Sequence, residues 1–225
     1  MKDLKKYTEG LHHFLQNLGD ETIANKQAQY MRNQFPFYGL MKEKQDKYWT
    51  EYQLENGKIN AEDVIEFCKF CIQYSEREIW YIGLKMLIKH KKKLKAEDLS
   101  FVQKLIVKGN WWDIVDGAAS HLVGTLVQNY PSLAIEVNQW IDSDNFWLRR
   151  TAIIYQLSYK KKTNENTLYT HILKTCHESE FFIRKAIGWA LREYSKHNPE
   201  SVRNFIAIHR DKLSPLSIRE GSKYI

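Results

Sequence analysis

Asp116 is the residue of this chain whose setting points most directly to chemistry. Four aromatic pairs or near-pairs, Ile79-Trp80, Trp111-Trp112, Phe146-Trp147 and Phe181-Phe182, recur at steps of 32, 35 and 35 residues. Five residues after the first member of each pair the chain reads Leu84, Asp116, Thr151 and Ala186, so one copy carries a carboxylate where the others are small or apolar. On a helix, Asp116 lies one turn from both Trp112 and Asp113, on a shared face. Asp113, at the third helical position, favours the helix N-terminus and has a structural reading. Asp116 has two readings: an exposed acid bonded to one of the many bases, or a carboxylate set beside an indole wall.

The bases show a second departure. Arg149-Arg150 and Arg184-Lys185 occupy the columns that hold Ile82-Gly83 and Ile114-Val115 in the earlier copies. Cations in the first turns of a helix oppose its dipole, so a partner must favour them there. A phosphate backbone is one such partner, helped by the free N–H groups of the helix ends. Local acids, Asp142, Asp144, Glu178 or Glu180, are the other. Trp189 falls in a column with Leu87, Ala119 and Ile154, where a large ring ordinarily fills a gap. Its neighbour Gly188 costs a helix about 1 kcal/mol relative to Ala, which points to close approach of another group. Cys68 and Cys71 have CxxC spacing but neither a second pair nor a nearby His, and read as core thiols one turn apart rather than a metal or redox motif.

Helices must position these residues. Apolar residues recur at helical spacing almost throughout, and ten Gly and four Pro are few for 225 residues. The pattern predicts twelve or thirteen helices, near 2–17, 22–34, 43–54, 60–74, 77–93, 96–108, 111–128, 131–141, 145–160, 165–176, 180–196, 199–210 and 214–223. Ser75-Glu76-Arg77-Glu78 reads as a capping box, Asn110-Trp111-Trp112-Asp113 as a shorter variant, and Pro131 and Pro199 suit first helical turns. Two helices every 32–35 residues, joined by short connections, is the arithmetic of an all-α solenoid of antiparallel helix pairs with a concave face. No Gly/Ser linker divides the chain, so one domain over 1–225 is expected. A formal charge of +7 suggests a polyanionic partner, most often nucleic acid, with a solvated basic surface as the alternative. No apolar run approaches a membrane span and no secretory h-region opens the chain, so a cytoplasmic location is expected. No metal set or nucleotide-binding Gly loop is apparent, and no cofactor is expected.

Three segments carry a resemblance: 108–116 (KGNWWDIVD), 144–150 (DNFWLRR) and 181–194 (FFIRKAIGWALREY). They closely resemble the bacterial DNA alkylation repair glycosylases of the AlkD type, and 30–39 (YMRNQFPFYG) resembles that family's N-terminal signature. In matching order and separation they cover most of the chain from about residue 25 to 223. One departure follows Gly39, where Leu40-Met41-Lys42-Glu43-Lys44 replaces an apolar residue and a small-Pro step with an Arg. The resemblance implies HEAT-like repeats around duplex DNA and hydrolysis of the N-glycosidic bond of cationic alkylpurines, N7-alkylguanine and N3-alkyladenine, without extrusion of the base into a pocket. It places the catalytic carboxylate on Asp116, the lesion-facing indoles on Trp112 and Trp189, and the lesion-proximal arginine on Arg150. Tyr30, Arg149, Arg184, Lys185 and Arg192 are the expected DNA-binding residues.

This chemistry suits those side chains. A cationic alkylpurine leaves easily because bond breaking neutralises it, so little general-acid help is required. The electron-poor sugar needs nearby negative charge and a water, both of which Asp116 can supply. The two indoles can offer π-faces to the same positive charge, each worth about 0.5–2 kcal/mol. The expectation is therefore a monofunctional, monomeric glycosylase in base excision repair. A non-catalytic HEAT-type DNA-binding protein would instead bind duplex DNA in a salt-dependent way without releasing base. A protein-interaction solenoid would bind no DNA at physiological salt.

Overall fold

The computed structural model describes residues 2–225, and every regular element among them is helical. The all-α expectation holds, in an arrangement consistent with an α-solenoid-like fold, and each of the thirteen expected segments contains an observed helix. The chain gathers into two compact units, Met1–Lys93 and Leu94–Ile225. No helix among the described residues is long and apolar enough to cross a membrane.

The first unit holds α1 (Leu4–Asn17), α2 (Glu21–Tyr30), α3 (Lys42–Asn56), α4 (Val64–Cys71) and α5 (Arg77–Lys89). Helix α1 shows why an amphipathic stretch folds inward: Leu4, Tyr7, Thr8, Leu11 and Leu15 line its buried face. Cys68 and Cys71 are free, buried thiols, and a Cβ on Gly83 would lie 3.1 Å from the Cys68 sulfur, so the absent side chain of α5 makes room for them. Burial pushes both thiols above their ordinary pKa, which suits packing rather than thiolate chemistry.

The capping box expected at Ser75 does not form. Glu76 is the N-cap and makes no side-chain cap bond, while Ser75 Oγ bonds the Glu76 carboxylate at 3.1 Å. Glu78 turns inward instead and accepts the backbone N–H groups of Tyr38, Gly39 and Leu40 at 3.0, 2.9 and 3.0 Å. Three consecutive N–H groups form an anion-binding nest, and Gly39 takes the positive φ of 90° that this turn requires. A buried carboxylate thus fixes the 36–41 loop. Burial raises the Glu78 pKa, against the pull of the same N–H bonds.

The second unit holds α6 (Leu99–Gly109), α7 (Trp112–Gly117), α8 (Gly124–Asn129), α9 (Leu133–Gln139), α10 (Phe146–Ile154), α11 (Glu165–Thr175), α12 (Phe181–Ser195), α13 (Pro199–Ile208) and α14 (Pro215–Gly221). Asn145, Asn164, Asn198 and Ser214 cap α10, α11, α13 and α14 through their side chains, and Pro199 opens α13 as expected. Asn110 acts differently from its sequence reading. It ends α6 in the left-handed region at φ 44°, leaving Trp111 as the N-cap of α7. A Cβ on Gly109 would lie 2.8 Å from Ile114 Cγ2, so glycine there permits the tight corner.

Within this unit the aromatic pairs pack on one another. Trp111 meets Phe182 edge-on at 5.3 Å between centroids, Trp147 lies 4.9 Å from Phe182, and Phe146 lies 4.5 Å from Trp147. The repeat signature of α7, α10 and α12 is a continuous aromatic seam at their N-terminal ends. Between α7 and α8 the chain does not stay α-helical as the sequence predicts. Ala118–Val123 is a π-helix, a wider turn that frequently accompanies functional sites. Gly124 lies at its far end, where a Cβ would stand 2.4 Å from the Tyr155 carbonyl oxygen.

Candidate active site

Asp116 ends up one turn into α7, just before the π-helical segment, with its carbonyl accepting from Ser120 Oγ at 2.7 Å. Its carboxylate is met by the guanidinium of Arg150, from the first turns of α10. Arg150 Nε donates to Asp116 Oδ1 at 2.8 Å and Nη2 to Oδ2 at 2.9 Å, a two-pronged, charge-assisted contact. The third prong, Nη1, donates to the carbonyl of Phe182 at the start of α12. One guanidinium therefore ties three helices together, and its carbon lies 5.9 Å from the centre of the Phe182 ring.

The exposure of the pair is uneven. The Arg150 side chain is 4% exposed and that of Asp116 19%. The cation is inside, backed by the aromatic seam, and the carboxylate faces outward. Each carboxylate oxygen keeps a lone pair beyond the one engaged by Arg150. Trp112, half-buried, shares the Asp116 face of α7 at i and i+4. Of the expected site residues the structure joins Asp116 directly to Arg150 and sets Trp112 on the same helix face. Trp189 is half-buried two turns beyond Phe182 on α12, and no hydrogen bond or ring contact ties it to the ion pair.

The expected phosphate-binding cations have partners within the chain. Arg149 makes two bonds to Glu178, from Nε at 2.9 Å and Nη2 at 2.7 Å, and donates from Nη1 to the Ser143 and Asp144 carbonyls. Arg184 Nε donates to the Glu178 carbonyl at 2.8 Å. Lys185 and Arg192 both reach Glu220 on α14, at 3.4 and 2.8 Å. For Arg149 and Lys185 the conflict with the helix dipole is met by acids, Glu178 and Glu220, of which only Glu178 was foreseeable, while Arg184 uses a backbone carbonyl and Arg192 lies in the last turn of α12, where a cation suits the dipole. Tyr30 is 75% exposed at the end of α2, ahead of Arg32 and Asn33, which take positive φ values of 55° and 54°.

Two contacts important to the geometry were not visible in the sequence. Phe182 enters through its backbone carbonyl, which no residue-type comparison displays. Glu220 comes from a helix outside the aligned repeats. Gly188 does match its expectation of close approach: a Cβ there would stand 2.6 Å from Glu220 Cβ and 3.1 Å from the Ser217 carbonyl oxygen.

The sequence model of the DNA alkylation repair enzymes matches residues 11–225. The chain belongs to that family. Its fold is similar to a solved structure described as a predicted DNA alkylation repair enzyme from Enterococcus faecalis, with a TM-score of 0.81 and 32% identity over 92% of this chain and 96% of that one. A comparison with curated proteins finds no match. Family membership assigns this alkylation repair protein a role in alkylation repair and implies DNA as its substrate. The match spans the seam, the Asp116–Arg150 pair and the α12–α14 contact together, so all three belong to the family-matched part of this repair protein.

Proposed function

We propose that the chain is a monofunctional DNA glycosylase that hydrolyses the N-glycosidic bond of cationic alkylated purines, N7-alkylguanine and N3-alkyladenine, in duplex DNA. The supporting observation is the outward-facing carboxylate of Asp116, held by a buried guanidinium beside an indole. The bond from the sugar C1′ to the purine nitrogen breaks with its electron pair going to the base, which neutralises the base cation. Positive charge then develops on the sugar, where a fixed carboxylate in a partly dry setting stabilises it without reorganising. Water bonds to C1′, and its proton passes towards Asp116 or solvent. Arg150 orients the carboxylate through its two-pronged contact. Trp112 and Trp189 offer π-faces to the cationic lesion and sugar.

The leaving group is activated by its own charge, so the reaction requires no cofactor and no covalent lysine intermediate. The proposed enzyme acts as a monomer, in HEAT-like wrapping of the duplex. Tyr30, Arg149, Arg184, Lys185 and Arg192 are the proposed backbone contacts. The full pairing of both Asp116 oxygens with Arg150 favours one competing reading, a structural ion pair in a non-catalytic DNA-binding protein. Excision of 7-methylguanine from duplex DNA, measured for the wild type and Asp116→Asn, separates the two. Release by the wild type and its loss in the variant, with duplex binding retained, supports the glycosylase. Binding without release by the wild type supports the competitor.

A further inference from the structure

Glu220 gathers more charge than any other carboxylate described in the second unit. It accepts from Arg192 Nη1 at 2.8 Å and Lys223 Nζ at 2.9 Å through Oε2, and Lys185 Nζ lies 3.4 Å from Oε1. Its side chain is 10% exposed, while those of the three cations are 40%, 23% and 48% exposed for Lys185, Arg192 and Lys223. Lys185, Gly188 and Arg192 follow one another at i, i+3 and i+7, which makes a single stripe on α12 facing α14. At the middle of that stripe a Cβ on Gly188 would stand 2.6 Å from Glu220 Cβ, closer than a side chain allows, and in tight contact with the Ser217 backbone. A matching contact lies one turn on, where a Cβ on Gly221 would stand 3.0 Å from Leu191 Cβ. Ser217 Oγ adds a bond to the Arg184 carbonyl at 2.9 Å.

Trp189 is the residue after Gly188, one step around the helix from this stripe. Its rotation about the α12 axis is therefore set by how α14 seats on Gly188, and its flanking cations are drawn towards Glu220. We propose that Glu220 is a positioning residue: through Lys185, Arg192 and the Gly188 contact it fixes the register of α12 and so the placement of Trp189, while restraining three cations that would otherwise be free to bind phosphate. The proposal rests on the glycosylase reading for its catalytic consequence only.

The test is a Glu220→Gln variant, of nearly unchanged volume, compared with Glu220→Asp and the wild type. Single-turnover release of 7-methylguanine from duplex DNA should slow about fivefold or more in Glu220→Gln. Affinity for undamaged duplex should hold or rise, with a steeper dependence on salt, because the released cations displace more counterions. Glu220→Asp should recover part of the rate. A general loss of folding would lower both rate and affinity, and so cannot produce this split. The indole N–H resonance of Trp189, assigned with Trp189→Phe, should move in Glu220→Gln and return towards its original position in Glu220→Asp. An unmoved Trp189 resonance overturns the positioning role, as does an unchanged excision rate or a parallel fall in rate and affinity. If the wild type releases no base, the glycosylase reading fails, and the resonance alone still decides whether Glu220 positions Trp189.

Discussion

Replacing Asp116 by Asn should reduce excision and stability together, and the two magnitudes come from different parts of the structure. The Arg150 side chain is 4% exposed, so losing its anionic partner strands a charge that water barely reaches. Breaking a fully buried pair from one side costs about 3–5 kcal/mol. Asparagine keeps one oxygen to accept from Nε or Nη2, the Phe182 carbonyl still receives Nη1, and Asp116 is itself 19% exposed. We therefore expect about 2–3 kcal/mol, in the range of losing one hydrogen bond to a charged group. For a domain of this size that is a fall in Tm of roughly 5–10 °C. Removing the carboxylate proposed to face the reacting sugar should slow single-turnover excision by about 10²–10³-fold, the scale seen when one preorganised electrostatic group is lost. Assays are run well below both unfolding midpoints, with duplex binding measured in parallel. A variant that loses several degrees of Tm but excises 7-methylguanine at the wild-type rate would refute the catalytic role and leave a structural ion pair.

Further expectations follow from the packing. Glu78→Gln places an amide NH₂ against the nest of three backbone N–H groups and should destabilise the first unit by about 2–4 kcal/mol, read by denaturant unfolding; an unchanged midpoint would show that the nest tolerates a neutral donor. Gly188→Ala would set a methyl 2.6 Å from Glu220 Cβ and should cost about 1–3 kcal/mol despite the better helix propensity of alanine, so a rise in Tm would contradict the close α12–α14 contact. His171 is buried with Nδ1 2.8 Å from the Ala152 carbonyl oxygen, and burial lowers its pKa from 6.5. The unfolded chain then takes up a proton that the folded form resists, so stability is full above the unfolded value and falls as pH drops through it towards the folded one. Tm measured from pH 8 to 5 should decline more in the wild type than in His171→Gln; parallel curves would remove His171 as the cause.

Helices were readable because apolar periodicity and short connections are local, and the aromatic pairs were readable because a repeat compares the chain with itself. The same comparison isolated Asp116 and Arg150 as departures. What it could not show was that they meet. Their bond joins one copy to the next across 34 residues, a register set by packing of the seam. Caps were misread where side chains found tertiary partners: Glu78 is drawn into the 38–40 nest, and Asn110 closes the helix before it. The π-helical segment had no sequence marker, since its wider turn is fixed by contacts such as that of Gly124 with the Tyr155 carbonyl. Glu220 was invisible for a related reason, because its role depends on where α14 docks.

Paired charge alone does not mark the candidate site. Arg149–Glu178 is as well made as Arg150–Asp116, with two bonds of 2.7 and 2.9 Å, and it begins in the adjacent residue. The difference lies in which end faces water. In Arg149–Glu178 the two side chains are similarly exposed, 20% for Arg149 and 15% for Glu178. In Arg150–Asp116 the guanidinium is 4% exposed against 19% for the carboxylate. The first arrangement presents neither end preferentially, and Arg149 also donates from Nη1 to the Ser143 and Asp144 carbonyls. The second buries its cation under the aromatic seam and offers negative charge outward, as an electron-poor sugar requires. The next copy lacks this polarity: Thr151, at the position equivalent to Asp116, is wholly buried and bonds the Trp147 carbonyl, and Lys185, equivalent to Arg150, turns to Glu220 instead. The repeat therefore builds the same scaffold at each step, and the outward carboxylate at Asp116 is what sets its copy apart.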